Sequence, residues 1–304
     1  MPNVALTYGC ELEVVKLSPN AGSIIQANNF DQHHDASIQP SSEASEIISR
    51  PAPLTFNPES AKCSFDLRVL ENLSKCAEKV NKTCGFHLHV KPQHGNWTPE
   101  QSSTFLTACI LIEEQIFTLV PNSRRSNRFC LRIANAFKGE ELENTDFLGQ
   151  VSSRKYSNDK RYCWLNLTET KRPGGHGTIE IRLLGSVKRI SYIEAWCSLW
   201  FIIAGTILAY DSGTAIRRIM TGQHVKAAMI TCQTAKAQAI RNRTQTEVGA
   251  EPLPTLGILQ TQTSTDPSDV VQGQDLSAAA VNSEVNSDPS GIMPPPYSCT
   301  FPAN

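Results

Sequence analysis

The chain has 304 residues, 40% of them hydrophobic, with 28 Lys and Arg against 29 Asp and Glu. That is enough apolar material for a substantial core, which excludes a wholly disordered chain, and a formal charge of −1 argues against a nucleic-acid-binding face. Residues 245–304 hold seven acidic residues and no Lys or Arg, which leaves 22 acidic and 28 basic residues elsewhere, a modest excess that suits anionic ligands such as nucleotides.

Residues 4–15 alternate as a strand and carry Gly9-Cys10-Glu11-Leu12-Glu13. Residues 16–34 read as a polar connection around Pro19, Asn20 and Gly22, and 45–49 as a short strand stopped by Arg50-Pro51. From 65 to 80, apolar residues at 67, 70, 73, 76, 77 and 80 repeat at helical spacing. Strand alternation returns over 84–91, and Thr98-Pro99 opens a helix running to about 120. Residues 121–160 read as a helical excursion with loops, and 162–167 and 178–184 as two strands joined by a long hairpin loop.

Helical segments over 191–210 and 212–243 follow, with Ser191 and Glu194 in a capping-box spacing. The most apolar run, 195–210, falls short of the roughly 20 residues that cross a bilayer, so it reads as a buried helix and no membrane role is expected. Beyond 244 the composition shifts to Gln, Thr, Ser, Pro, Ala and Gly, which divides the chain into a catalytic domain over 1–244 and a disordered tail over 245–304. Within that tail Met293-Pro-Pro-Pro-Tyr297 offers a partner-binding segment. Ten cysteines without a C-x-x-C spacing or a secretory signal read as packing residues of a cytoplasmic protein.

Three strand pairs carry the chemistry: Glu11 with Glu13, His87 with His89, and Glu180 with Arg182. Because strand side chains alternate, both members of each pair share a face while Leu12, Leu88 and Ile181 go to the other. Taken singly, each pair also reads as ordinary solvated strand residues. If Glu11, Glu13, Glu46 and Glu180 converge, carboxylates ~5 Å apart repel by roughly 3 kcal/mol per pair at an effective dielectric near 20, so the cluster needs cations. All-oxygen ligands favour Mg²⁺ or Mn²⁺, with His87 as a nitrogen ligand or phosphate contact. The Arg182 fork suits phosphate oxygens, and Lys171 and Arg172 sit in a basic loop resembling a lid. Arg124 and Arg128 are candidates to reach phosphate or a substrate carboxylate, and Asn166 to orient substrate or to hold a neighbouring strand.

In order, Gly-x-Glu-x-Glu, the Asp35-Ala36-Ser37 turn, Glu46 in Ser-Glu-Ile-Ile-Ser, Gly-x-His-x-His, Tyr162 with Asn166 and Thr-Ile-Glu-x-Arg resemble the putative amidoligase family. That family looks like a branch of the glutamine synthetase and glutamate–cysteine ligase superfamily, and the resemblance spans roughly residues 5–210. Ala36 stands where a Gly would be usual. The resemblance implies an α+β fold, a mainly antiparallel sheet curved into a funnel and backed by helices. It implies metal ligands at Glu11, Glu13, Glu46 and Glu180, ATP and Mg²⁺ or Mn²⁺ as cofactors, His87 toward nucleotide phosphate or metal, and Arg182, His87 and Glu180 as catalytic residues, while His89 joins the cofactor-binding candidates as the partner of His87 on its strand face.

The implied activity joins a carboxylate to an amine through an acyl phosphate, on small-molecule, peptide or protein substrates. A small-molecule kinase of the same fold and an interaction protein on a degenerate ligase scaffold are the alternatives.

Overall fold

The computed structural model describes residues 1–40, 42–127, 130–136, 162–170 and 176–247. Its centre is β1 (Val4–Val14), whose inward side chains Leu6, Tyr8, Cys10 and Leu12 are all buried. β1 is long enough to have different neighbours at its two ends. Along one edge its first half pairs with β5 (Ala52–Asn57) and its second half with β4 (Ser45–Ile48); along the other lies β8 (Gly85–Pro92). β3 (Asp31–His34), β6 (Lys62–Phe65), β9 (Leu165–Asn166) and β10 (Ile179–Gly185) complete an eight-stranded sheet ordered β3-β4-β1-β8-β10-β9, with β5 and β6 as a side branch. Every strand pair in it is antiparallel, as the α+β reading expects.

The expected polar connection over 16–34 contains more structure than its composition shows. It forms β2 (Lys16–Leu17), the helix α1 (Ala21–Asn28) and β3, with Asn29 in the left-handed region at φ 53° closing the helix. The run after Pro51 is a hairpin, β5–β6. Pro53 and Thr55 point outward there while Ala52, Leu54 and Phe56 are buried, and Asn57 Oδ1 caps the turn by accepting from the Glu59 and Ser60 amides.

α2 (Leu67–Cys76) starts at Asp66, whose carboxylate accepts from the Arg68 amide at 3.0 Å. It stops short of 80 because Ala77 turns extended and β7 (Ala77–Lys79) pairs with β2. α3 (Pro99–Thr118) has the expected cap, with Thr98 and Gln101 bonding reciprocally. Two short helices follow, α4 (Asn122–Arg125) and α5 (Ile133–Ala136).

α6 (Ile190–Ala209) lies against β1, β5, β6 and β8 on the apolar face of the sheet. It is long and apolar enough to cross a membrane, but 72% of its most apolar window is buried in the fold, including Trp196, Trp200 and Phe201, which marks a core helix. Gly205 allows the close approach: a Cβ there would run into the Phe56 ring. Tyr8, Phe65 and Phe201 meet within 5.9 Å ring to ring, and Trp200 packs on Trp164 and Trp196, each at 5.6 Å. The expected capping box at Ser191 and Glu194 does not form. The helix starts one residue earlier, at Ile190, and Ser191 Oγ accepts from Arg189 Nε at 3.3 Å instead.

α7 (Ser212–Thr221) and α8 (Gln223–Glu247) are separated at Gly222, and α8 packs behind α6. The nine described cysteines are unpaired and all but Cys63 are buried, as expected of packing residues. Apart from the end of α8, the expected tail lies outside the described residues.

Candidate active site

The polar face of the sheet is set by cross-strand register. Glu11 stands opposite His87, Glu13 opposite Glu46, Glu180 opposite His89, and Asn166 opposite Glu180. Pairs directly across an antiparallel ladder place their Cβ atoms roughly 5 Å apart, so five strands deliver one cluster. His87 is its hub. Its Nδ1 lies 2.9 Å from Glu11 Oε2 and 3.4 Å from Glu180 Oε1, and its Nε2 lies 3.5 Å from Glu13 Oε1. His89 Nε2 lies 3.0 Å from Glu11 Oε1, off line for a hydrogen bond and so a charge contact, while its Nδ1 meets Thr178 Oγ1 at 3.1 Å.

Glu180 is held from both sides: Asn166 Nδ2 donates to one oxygen and Arg182 Nη1 to the other, each at 2.7 Å. Glu13 accepts from the Gly85 amide. Asn166, expected to orient substrate or hold a strand, has its own oxygen engaged by the Thr168 amide and hydroxyl at 3.0 and 2.7 Å, so both ends of its amide are used inside the protein.

The carboxylates differ in how they hold their charge. Burial works to raise the Glu11 carboxyl, yet its partners His87 and His89 outweigh it and hold it far below the ordinary range. Burial likewise works against Glu180, and the Arg182, His89 and His87 charges bring it down. Glu46 has no such partner. Burial, then the Glu11 and Glu13 charges, push it up to about 8, so it carries a proton at neutral pH. Burial works to lower His89, but Glu11 and Glu180 raise it to about 9.

Two ligand sets share His87: Glu11, His87 and Glu180, and Glu13, Glu46 and His87, with the ligand atoms of each set within 4.8 Å of one another. These oxygen-rich sets with one imidazole fit Mg²⁺ or Mn²⁺, and the proton retained by Glu46 is where a cation would take its place. Arg182 Nε is buried and has no partner among the described residues, which leaves a donor for an anion beside the carboxylates.

Residues 53–201 match the family model described as putative amidoligase enzyme. Over these residues the chain is similar to the amidoligase family. No curated protein matches the chain. The matched segment holds His87, His89, Asn166, Glu180 and Arg182. Glu11, Glu13 and Glu46 precede it, and β1 and β4 bring them to the same cluster through pairing with β8 and with each other.

Of the other sequence candidates, Lys171, Arg172 and Arg128 lie outside the described residues. Arg124 is 3% exposed, and its guanidinium donates to backbone carbonyls of β10. Sequence reasoning missed Thr178, which shares a face with Glu180 by simple alternation and receives His89. It also missed His33, which stands opposite Glu46 on β3 at the rim. The alternation around Thr178 carried its signal, whereas His33 was hidden because β3 was not expected.

Proposed function

We propose that the protein is an ATP-dependent carboxylate–amine ligase that works on a Mg²⁺ or Mn²⁺ nucleotide site. The observation that carries this reading is the convergence of Glu11, Glu13, Glu46, Glu180 and His87 on one sheet face with Arg182 bonded to Glu180. The match to the amidoligase family model over residues 53–201 supports it.

A free carboxylate resists nucleophiles, so its oxygen first attacks the γ-phosphorus of ATP, ADP leaves, and an acyl phosphate forms. An amine then attacks the acyl carbon, phosphate departs with one original carboxylate oxygen, and the amine's proton is lost to a base. Bound divalent cations would neutralise the phosphate charge during this transfer.

The chain's own groups do the positioning. Asn166 and Arg182 fix both oxygens of Glu180, and the buried His87 holds Glu11. Arg182 keeps its Nε–H for a phosphoryl oxygen, and comparable arginines in phosphoryl-transfer enzymes are worth roughly 10³ to 10⁵ in rate. Protein donors preset around developing charge need no reorganisation at the moment of reaction. The substrates are small-molecule, peptide or protein carboxylates and amines, and the setting is cytoplasmic.

The test is to supply ATP and Mg²⁺ with pools of acids and amines. ADP and phosphate released only when both an acid and an amine are present support a ligase. Product that needs no amine indicates the kinase reading, and AMP as the nucleotide product overturns the proposal.

A further inference from the structure

We infer that Arg124 is a positioning residue: it sets Arg182 on the polar face by holding the bulge in β10 on which Arg182 stands. The pairing of β10 with β8 shifts register between Ile181, opposite Leu88, and Leu184, opposite Phe86. Arg182 and Leu183 therefore stand together across from His87, the arrangement of a β-bulge, a device that re-aims a side chain beside a site. Under strict alternation Leu184 would follow Glu180 and Arg182 onto the polar face. With the extra residue, Leu183 and Leu184 both reach 0% exposure while Arg182 keeps its contact with Glu180.

A bulge breaks the ladder and leaves carbonyls in search of donors, and unpaired buried carbonyls are costly. Arg124 supplies the donors from α4. Its Nε donates to Leu183 O at 3.2 Å and its Nη2 to Arg182 O at 2.8 Å. The same Nη2 donates to Cys130 Sγ at 2.8 Å, and the Cys130 thiol donates to Arg182 O at 3.2 Å. One planar fork thus pins both residues of the bulge at fixed spacing, which a lysine's point charge does not reproduce.

The fold makes room for this fork. Gly85 and Gly185 face each other across β8 and β10. A Cβ on Gly85 would come within 3.3 Å of Arg124 Nη2 and 2.7 Å of His87 Nε2, and one on Gly185 within 3.4 Å of Arg124 Cδ. Two facing glycines therefore clear a slot between the catalytic cluster and the buried guanidinium. Arg124 Nε and Nη2 are spent on the bulge carbonyls and on Cys130, so its effect on the reaction is inferred to pass through Arg182.

The kinetic arm of the test rests on the ligase reading; the spectroscopic arm does not. Arg124→Lys, folded by circular dichroism, is expected to lower kcat about 10- to 100-fold, the scale of a small misplacement at a reacting centre. KM for ATP should change by no more than about twofold. In an Arg182→Ala background the same substitution should lower kcat no further, because the group it positions is gone. A purely structural residue would give additive losses, and additivity or wild-type kcat in Arg124→Lys overturns the inference.

In nucleotide-free protein, the Arg182 Nε–H signal of ¹⁵N-arginine-labelled Arg124→Lys should shift and exchange faster with water; an unchanged signal overturns the inference too. If the wild type turns over no ATP, the ligase reading fails and this signal alone decides the role of Arg124. Should Arg124→Lys not fold, Cys130→Ala, which removes the second donor to Arg182 O, is expected to move the same signal in the same direction, and no movement overturns the inference.

Discussion

Asn166 donates its side-chain amide to Glu180 across the β9–β10 pair at 2.7 Å, and both residues are almost wholly buried. A carboxylate held this way is fixed in orientation before any cation arrives. Removing the amide by Asn166→Ala leaves one oxygen of Glu180 without its donor, a loss of about 1–3 kcal/mol in stability. Outer partners of metal-ligating groups are also worth roughly 10- to 100-fold in metal affinity. Calorimetric Mn²⁺ titration of the folded variant should show that weakening, and wild-type affinity would separate Asn166 from the cation site.

Glu46 makes the opposite case, a carboxyl that burial and its acidic neighbours push up to about 8. Glutamine mimics its protonated form, so Glu46→Gln should change cation-free stability at neutral pH by less than about 0.5 kcal/mol. Its rise in Tm on adding Mn²⁺ should be much smaller than in the wild type, since a bound ligand stabilises only through its affinity for the folded state. A thermal melt with and without Mn²⁺ reads both effects, and an undiminished rise would remove Glu46 from the ligand set.

Buried thiols predict the response to alkali. Burial raises Cys63, Cys163 and Cys232 to about 12 and Cys76 to about 11, from an ordinary value of 9.0. Each raised group contributes stability that is fully present below the unfolded value near 9 and is lost as pH rises toward its folded value, because the unfolded chain ionises first. Urea midpoints measured from pH 7.5 to about 11 should be flat at first and then fall. Constant midpoints to the top of that range would contradict the burial of these thiols.

The packing of α6 on β5 depends on Gly205, where any Cβ would enter the Phe56 ring. Gly205→Val should therefore destabilise the fold by about 1–3 kcal/mol or more through overpacking, well beyond any change in helix propensity. Chemical denaturation checks it, and a neutral outcome would mean that α6 sits further from the sheet.

The polar face was legible in the sequence because its chemistry follows the period of two: Glu11 with Glu13, His87 with His89, and Glu180 all sit where strict alternation puts them. What escaped were features that break local rules. Pro51 reads as the stop of a strand, yet β5 begins at Ala52, and Pro53 faces outward on it. Arg124 follows a helix and reads as a candidate to reach phosphate or a substrate carboxylate, and only the bulge at Arg182 and Leu183, which no periodicity announces, explains its burial. Ser191 had the spacing of a cap, but Arg189 competes for its hydroxyl.

The central claim is that the cluster of Glu11, Glu13, Glu46, Glu180 and His87 with Arg182 activates a carboxylate by phosphorylating it. The most direct measurement supplies ATP, Mg²⁺, amines and acids whose carboxylates are labelled with ¹⁸O, and follows the label. Wild-type protein is expected to release ADP and phosphate carrying one ¹⁸O per turnover, and folded Arg182→Ala to slow that turnover by roughly 10³-fold or more. Label absent from phosphate, or AMP as the product, would contradict the account, and wild-type turnover by folded Arg182→Ala would remove Arg182 from the mechanism.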